Sequence, residues 1–131
     1  MDKLEEIFSE IKKILKEQSK DYIEADKYIG SKAKMVKPEY HLYGAEEVSI
    51  LGKKPENTYI AGVIQQKNYV SFYFSPIYSH PDSFEDISPD LKRYLKGKSC
   101  FNITKGTAQI YKEIDKLLKK GINKYKELEW I

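Results

Sequence analysis

Apolar residues recur at three- and four-residue intervals at both ends of the chain, a pattern typical of amphipathic helices. The first helix is predicted over residues 2–27, with Gly30 ending it. Its apolar positions are Leu4, Ile7, Phe8, Ile11, Ile14, Leu15 and Tyr22. A second helix is predicted over residues 107–128, with Thr107 as its N-cap. Gly121 lies on the apolar stripe of this helix, so we expect it to permit close approach to a sheet.

Between the two helices the apolar period changes to two, and short segments rich in β-branched and aromatic residues alternate with turn-forming residues. The predicted strands cover residues 38–43, 47–51, 58–65, 69–76 and 99–104. Residues 66–68 make a short connection, so the third and fourth of these strands are expected to pair as an antiparallel hairpin.

A short helix is expected between the fourth and fifth strands. Ser88 suits the N-cap and Pro89 the first helical position, so this helix is predicted to run through Leu95 and to end at Gly97. The element order predicts an α+β fold, a two-layer sandwich whose N- and C-terminal helices pack on one face of an antiparallel sheet of about five strands. Residues 1–131 are expected to form a single domain, because chains of this length usually have one core.

Alternation within the best-defined strands assigns their two faces. The residues expected to face the helices are Val70, Phe72, Phe74, Phe101 and Ile103. The opposite face is expected to carry Tyr69, Ser71, Tyr73, Ser75, Lys98, Cys100 and Asn102. Antiparallel sheets often leave one face to water, so this second set forms either a binding surface or an ordinary solvated face.

Composition excludes several classes of protein. Cys100 is the only cysteine, which rules out an internal disulfide framework and any multi-cysteine zinc site. Met1 leads directly into a charged amphipathic segment and no apolar run approaches 18 residues, so we expect a cytoplasmic protein without signal peptide or membrane span. Arg93 is the only arginine among 23 basic residues, and arginine makes the bidentate contacts that read bases. Sequence-specific nucleic-acid binding is therefore not expected. The net charge of +3 is too small to indicate a class of partner.

Two groups of residues invite a chemical interpretation. Cys100, His41 and His80 suggest a nucleophile with a base, but nothing in the sequence brings them together, and a lone strand cysteine usually packs as a small apolar residue. The sequence favours a protein without enzymatic activity and leaves an enzyme as an alternative. The segment from Leu91 to Lys105 carries five basic and no acidic residues. It is either an attractor of phosphate or acidic partners or a solvated face balanced by the acidic stretch before it.

Three segments resemble the YdhG-like superfamily of small bacterial domains: YVSFYFSPIY at 69–78, ISPDLK at 87–92 and GKSCFN at 97–102. The resemblance covers residues 20–128 and is most specific within 69–102. It implies a frataxin-like fold, in which two helices pack against an antiparallel sheet. Most of the superfamily has no known function, but some members are described as iron chaperones. The resemblance therefore implies, as an alternative function, iron binding through carboxylates of the first helix.

Carboxylate oxygens are the ligands that hard cations select, and residues 1–27 contain eight acids. These are Asp2, Glu5, Glu6, Glu10, Glu17, Asp21, Glu24 and Asp26. Six lysines in the same segment would repel a cation and neutralise most of this charge. No cofactor is expected for the leading function, and iron is the one alternative.

The leading hypothesis is a non-enzymatic domain whose open sheet face binds a small ligand or a protein partner. The expected binding residues are Tyr73, Lys98, Cys100 and Asn102. Tyr73 would stack or form a hydrogen bond, Lys98 and Asn102 would hold an anionic or polar group, and Cys100 would add a soft contact.

Overall fold

The computed structural model describes residues 2–32 and 36–131, in which helices near both ends of the chain pack on a central β-sheet. The helices are α1 (Lys3–Glu17), α2 (Ser75–Ser79), α3 (Pro89–Lys92) and α4 (Ala108–Glu127), with a 3-10 helix at Pro81–Phe84. The strands are β1 (Ile23–Ala25), β2 (Glu39–Val48), β3 (Glu56–Gln65), β4 (Val70–Phe74), β5 (Leu95–Lys96) and β6 (Cys100–Ile103). This element order confirms the predicted α+β class.

The strands form one antiparallel sheet of six strands in the order β1-β2-β3-β4-β6-β5. The sequence predicts about five strands, and two differences explain why the structure has six. The predicted strands 38–43 and 47–51 are one continuous strand, β2, whose pairing with β3 shifts register between Leu42 and Glu47. Strands β1 and β5 have only three and two residues, too few to show an alternating pattern, so the sequence analysis missed them.

Helix α1 ends at Glu17, so the prediction that it continues to residue 27 was wrong. The carbonyl of Lys16 accepts hydrogen bonds from both the backbone N–H and the hydroxyl of Ser19, which closes the helix. The following strand, Ile23–Ala25, then pairs with β2, and this tertiary pairing outweighs the helical period that continues to Tyr22. Gly30 lies in the loop after β1 with a φ of 87° and does not end α1.

The short helix begins as predicted and ends early. The Ser88 hydroxyl accepts a hydrogen bond from the Leu91 N–H at 3.3 Å, and Pro89 is the first helical residue. The helix stops at Lys92, whereas the prediction ran through Leu95. Leu95 instead starts β5, and Gly97, with a φ of 69°, turns the chain between β5 and β6 rather than ending a helix.

The predicted hairpin is confirmed, and so is the division of faces for the residues that lie within strands. The predicted strand 69–76 is shorter in the structure: β4 covers Val70–Phe74, and Ser75 begins α2, because Pro76 has no N–H for strand pairing. Lys98 was also predicted on the open face but lies in the turn between β5 and β6. Strands β3 and β4 pair across residues 66–68. On β6, Phe101 lies opposite Phe72 and Ile103 opposite Val70, and all four side chains are buried. The alternate positions also match, because Ser71 lies opposite Asn102 and Tyr73 opposite Cys100. We call the side of the sheet that carries these alternate positions the open face.

Helix α4 matches its prediction closely, and the Thr107 hydroxyl caps it by accepting from the Ile110 N–H at 3.2 Å. Buried side chains of α1 and α4 join those of the strands in one core. Gly121 lets α4 lie against β4 and α2 as expected. A Cβ at this position would fall 2.5 Å from the Phe74 ring and 2.7 Å from Pro76, which is closer than packed carbon atoms approach.

Within the described residues, no helix combines the length and the apolar character needed to cross a membrane.

Candidate functional site

The open face is not a bare solvated surface, because aromatic side chains cover its centre. His41 is 1% exposed, and Tyr43 is buried beside it. Tyr28, from the loop that follows β1, lies over both and over Tyr59 of β3. The centre of the Tyr59 ring lies 5.4 Å from the ring centre of Tyr28, 5.1 Å from that of Tyr43 and 5.7 Å from that of His41. The Tyr28 and Tyr43 contacts with Tyr59 are edge-on, the favourable geometry for aromatic pairs. We call Tyr28, His41, Tyr43 and Tyr59 the aromatic cluster.

Hydrogen bonds fix the orientation of the cluster. Glu39 Oε1 lies 2.8 Å from His41 Nε2, and His41 Nδ1 lies 2.8 Å from the Tyr59 hydroxyl. With Glu39 ionised, Nε2 donates to the carboxylate, so Nδ1 accepts the Tyr59 proton. The same carboxylate oxygen accepts the Tyr28 backbone N–H at 3.0 Å. Glu39 therefore ties the loop that carries Tyr28 to the buried imidazole.

Gly62 makes room for this arrangement. It lies opposite His41 on β2 and opposite Tyr73 on β4. A Cβ at this position would overlap His41 Nδ1 and the Tyr59 hydroxyl oxygen. A glycine in the middle of a strand often marks the close approach of another group, and here the groups are two side chains of the aromatic cluster.

A concavity of about 480 Å³ opens beside the aromatic cluster. Its walls are Tyr28, His41, Tyr59, Ile64, Tyr73, Phe74, Ser75, Tyr78 and Ser99. We call it the open-face pocket. Its volume lies within the range of small-molecule sites, and its lining is mostly aromatic with a few polar groups.

A second and larger concavity, of about 970 Å³, runs beside the open-face pocket. It lies between the β2–β3 connection and the segment from α2 to β6, and four lysines line it: Lys53, Lys54, Lys92 and Lys98. We call it the lysine cleft. The two concavities share the side chains of Tyr59, Ser75 and Tyr78.

Tyr125 and Trp130 close one wall of the lysine cleft. Tyr125 is 1% exposed, and its hydroxyl lies 3.0 Å from the hydroxyls of Ser75 and Ser79. The Trp130 ring centre lies 5.2 Å from that of Tyr125, and its carbonyl accepts the Thr58 hydroxyl proton at 2.8 Å. These contacts join the C-terminal helix, α2 and β3 around the cleft.

The structure does not bring the four predicted binding residues into one pocket. Tyr73 lines the open-face pocket, and Lys98 lines the neighbouring lysine cleft. Cys100 and Asn102 line neither concavity. The Asn102 side-chain oxygen accepts from the Cys100 thiol and from the Ser71 hydroxyl, both at 3.2 Å. A binding role for these two residues stays a prediction, and the Cys100 thiol and the Asn102 side-chain oxygen already have partners.

Sequence reasoning missed the aromatic cluster. A partial signal was present, because Glu39, His41 and Tyr43 alternate along the predicted strand 38–43. The contribution of Tyr59 depends on the shifted register between β2 and β3, and that of Tyr28 on the path of a loop. Neither is visible in the pattern of a single segment.

The Cys100 thiol is not set up as a nucleophile. Burial raises its pKa above the ordinary value of 9.0, and hydrogen bonding with Ser71 and Tyr73 offsets this only in part. A reactive cysteine needs a depressed pKa, since the thiolate is the attacking species. The thiol interpretation raised by the sequence therefore has no support from the surroundings of this residue.

No metal centre is assembled by residues 2–32 and 36–131, where no three His, Cys, Asp or Glu side chains gather closely enough to hold an ion. Two of the acids expected to bind iron have other contacts. Asp2 caps α1 by accepting the Glu5 N–H at 2.9 Å, and Glu24 accepts from the Tyr40 hydroxyl at 2.6 Å. Glu24 also lies 3.7 Å from Lys16. The iron alternative gains no geometric support.

No protein-family model matches the chain, and no curated protein or solved structure is significantly similar to it.

The buried imidazole predicts a pH-dependent stability. Burial lowers the pKa of His41 below its ordinary value of 6.5, and the nearby Glu39 carboxylate opposes this shift without cancelling it. As the pH falls below about 6.5, the His41 imidazole binds a proton more readily in the unfolded chain than in the folded protein. The free energy of unfolding therefore falls as the pH decreases. Urea denaturation at a series of pH values measures this decline.

His41→Gln is expected to flatten that part of the pH dependence, because it removes the titrating group. His80→Gln is the matched control, since His80 lies outside the aromatic cluster and its removal should leave the decline in place. An unchanged pH profile in His41→Gln contradicts the prediction.

Proposed function

We propose that this chain is a non-enzymatic binding protein that holds a small ligand in the open-face pocket. One observation carries the proposal: a pocket of about 480 Å³ on the sheet face opposite the terminal helices, walled by four tyrosines and a histidine among other residues. Aromatic rings supply large contact areas at low conformational cost, and they favour ligands with a flat apolar part. The concave shape favours a small ligand over a protein partner.

The polar groups at the pocket support binding rather than catalysis. His41 Nε2 is hydrogen-bonded to Glu39, and His41 Nδ1 is hydrogen-bonded to the Tyr59 hydroxyl. The imidazole therefore has no free nitrogen to act as a base. Burial raises the pKa of the Tyr59 phenol far above its usual range, which keeps the phenol protonated and a poor nucleophile. These groups are suited to holding a shape and to donating or accepting a hydrogen bond.

We also propose that the fold is of the frataxin-like, YdhG-like kind and that the protein acts in the cytoplasm. The helix–sheet–helix order and the packing of both terminal helices with the strands in one core support the fold assignment. The three sequence segments quoted above support the family assignment. The free thiol of Cys100 supports the location, because thiols stay reduced in the cytoplasm.

Binding of N-phenyl-1-naphthylamine tests the proposed function, because this neutral aromatic probe fluoresces when it leaves water. We expect saturable binding of one probe per chain. Tyr28→Ala and Tyr78→Ala should each weaken it by about five-fold, equivalent to about 1 kcal/mol for one aromatic contact. Tyr78 is 61% exposed, so truncating it costs little stability. Tyr28 is 49% exposed but packs on three rings of the aromatic cluster, so urea denaturation of Tyr28→Ala accompanies its titration.

Tyr69→Ala is the control for these two variants. Tyr69 is a partly buried tyrosine that lines neither concavity, so its truncation should leave the affinity unchanged. An equal loss in Tyr69→Ala, or the absence of saturable binding in the unaltered protein, would overturn the proposed function.

A further inference from the structure

The open-face pocket adjoins a cleft lined by lysines. It meets the lysine cleft at the shared side chains of Tyr59, Ser75 and Tyr78. Tyr78 is the most exposed of the three, and the Lys98 ammonium lies 5.7 Å from the centre of its ring. A ligand that contacts Tyr78 from within the pocket therefore lies close to Lys98, which lines the adjoining cleft.

The charges that line the two concavities are unequal. The lysine cleft is bordered by Lys53, Lys54, Lys92 and Lys98 and by only two acids, Glu56 and Glu85. Among the described residues, none of these four lysines forms a salt bridge. None of the acidic side chains that the structure describes lines the open-face pocket. A cleft bordered by one sign of charge concentrates ligands of the opposite sign.

We propose that the ligand of this site is a planar aromatic molecule with an anionic group, such as a carboxylate or a phosphate. Its ring lies among the tyrosines of the open-face pocket, and its anionic group lies at the mouth, where Lys98 neutralises it. This inference rests on the proposed function and adds the chemical class of the ligand. Lys98 donates from a compact charge on a flexible stem, which suits an anion at a rim.

A cationic ligand is the main alternative, because tyrosine rings also attract cations. Two features favour the anion. Glu39 does not line the pocket, and its Oε1 already accepts from His41 and from the Tyr28 N–H, which weakens its attraction for a ligand cation. A cation at Tyr78 would also lie beside the like charge of Lys98.

Three fluorescent probes that differ in charge test the inference. These are 1-anilinonaphthalene-8-sulfonate, an anion; N-phenyl-1-naphthylamine, its neutral counterpart; and thioflavin T, an aromatic cation. We expect the anion to bind about ten-fold more tightly than the neutral probe at low salt, and the difference to shrink as salt is added. Lys98→Ala should abolish most of that difference, lowering the affinity for the anionic probe far more than the affinity for the neutral probe.

Lys98→Arg should retain the preference, since it keeps the charge. Lys96→Ala is the matched control, because Lys96 is an exposed lysine two residues away that lines neither concavity. Equal affinities for the anionic and neutral probes, or tighter binding of thioflavin T, overturn the anionic class and leave the pocket intact. Failure of the proposed function is a different result, in which the neutral probe does not respond to Tyr28→Ala and Tyr78→Ala.

Discussion

Replacing Gly62 by alanine is expected to lower the free energy of unfolding by about 3 kcal/mol and to abolish binding in the open-face pocket. The added methyl group would overlap the His41 ring nitrogen and the Tyr59 hydroxyl oxygen, and His41 Cε1 would lie 2.9 Å away. Both rings are held in place, His41 by Glu39 and Tyr59 by the edge-on contacts with Tyr28 and Tyr43. Relief of the overlap therefore breaks the hydrogen bond between them. Urea denaturation and probe titration measure the two effects.

Gly44→Ala provides a matched control in the same sheet. The atoms that its methyl group would meet belong to Ile131, the last residue, at 2.8 Å and beyond. Rotation of the Ile131 side chain moves Cγ2 away, and its Cβ at 3.2 Å requires only a small shift, so we expect a change of less than about 1 kcal/mol. Both changes alter the entropy of the unfolded chain in the same direction, so their difference isolates the crowding at Gly62. Similar losses for the two variants contradict a special role for Gly62.

The second large effect is expected at Tyr125, where Tyr125→Ala should cost about 4 kcal/mol of stability. The side chain is 1% exposed and packs against Trp130, and its hydroxyl holds Ser75 and Ser79 at 3.0 Å. Truncation leaves a cavity where α4, α2 and the C-terminal residues meet. We therefore also expect Trp130 to become more exposed, which shifts its fluorescence to longer wavelengths.

Tyr125→Phe separates the contribution of the ring from that of the hydroxyl. It keeps the packing and removes only the two hydrogen bonds, so the expected loss is about 1 kcal/mol with little change in tryptophan emission. A loss as large as that of Tyr125→Ala shows that the hydroxyl network, and not the ring, holds this region together.

The elements that the sequence predicts well are those whose signals are local. Helix α4 has a long apolar stripe and a capping threonine, so its ends fall within one residue of the prediction. The β3–β4 hairpin has a short connection and clear alternation. Helix α1 was predicted too long because its apolar period continues to Tyr22, whereas the chain leaves the helix to pair Ile23–Ala25 with β2. That pairing partner lies far along the chain, out of reach of a local pattern.

The candidate site divides in the same way. Alternation places Tyr73 and Lys98 on the side of the sheet that the helices leave uncovered, and each lines a concavity. Tyr28 and Gly62 were not singled out. Their importance comes from what they touch across the sheet, because Tyr28 covers His41 and Gly62 leaves space for it. The pocket depends on the path of a loop, on a shifted register and on a glycine that has no side chain. None of these features can be recognised from the sequence pattern of a single segment.

The two shortest strands lie at the two edges of the sheet, where another chain could add a strand. A long strand at the border of a sheet presents unpaired backbone groups to which a foreign strand can add. Here the borders are β1, with three residues, and β5, with two, and each carries a charged side chain, Glu24 and Lys96 respectively. Such borders offer little template for strand addition or for aggregation. The proposed ligand recognition therefore depends on the face of the sheet, where the pocket lies, and not on its edges.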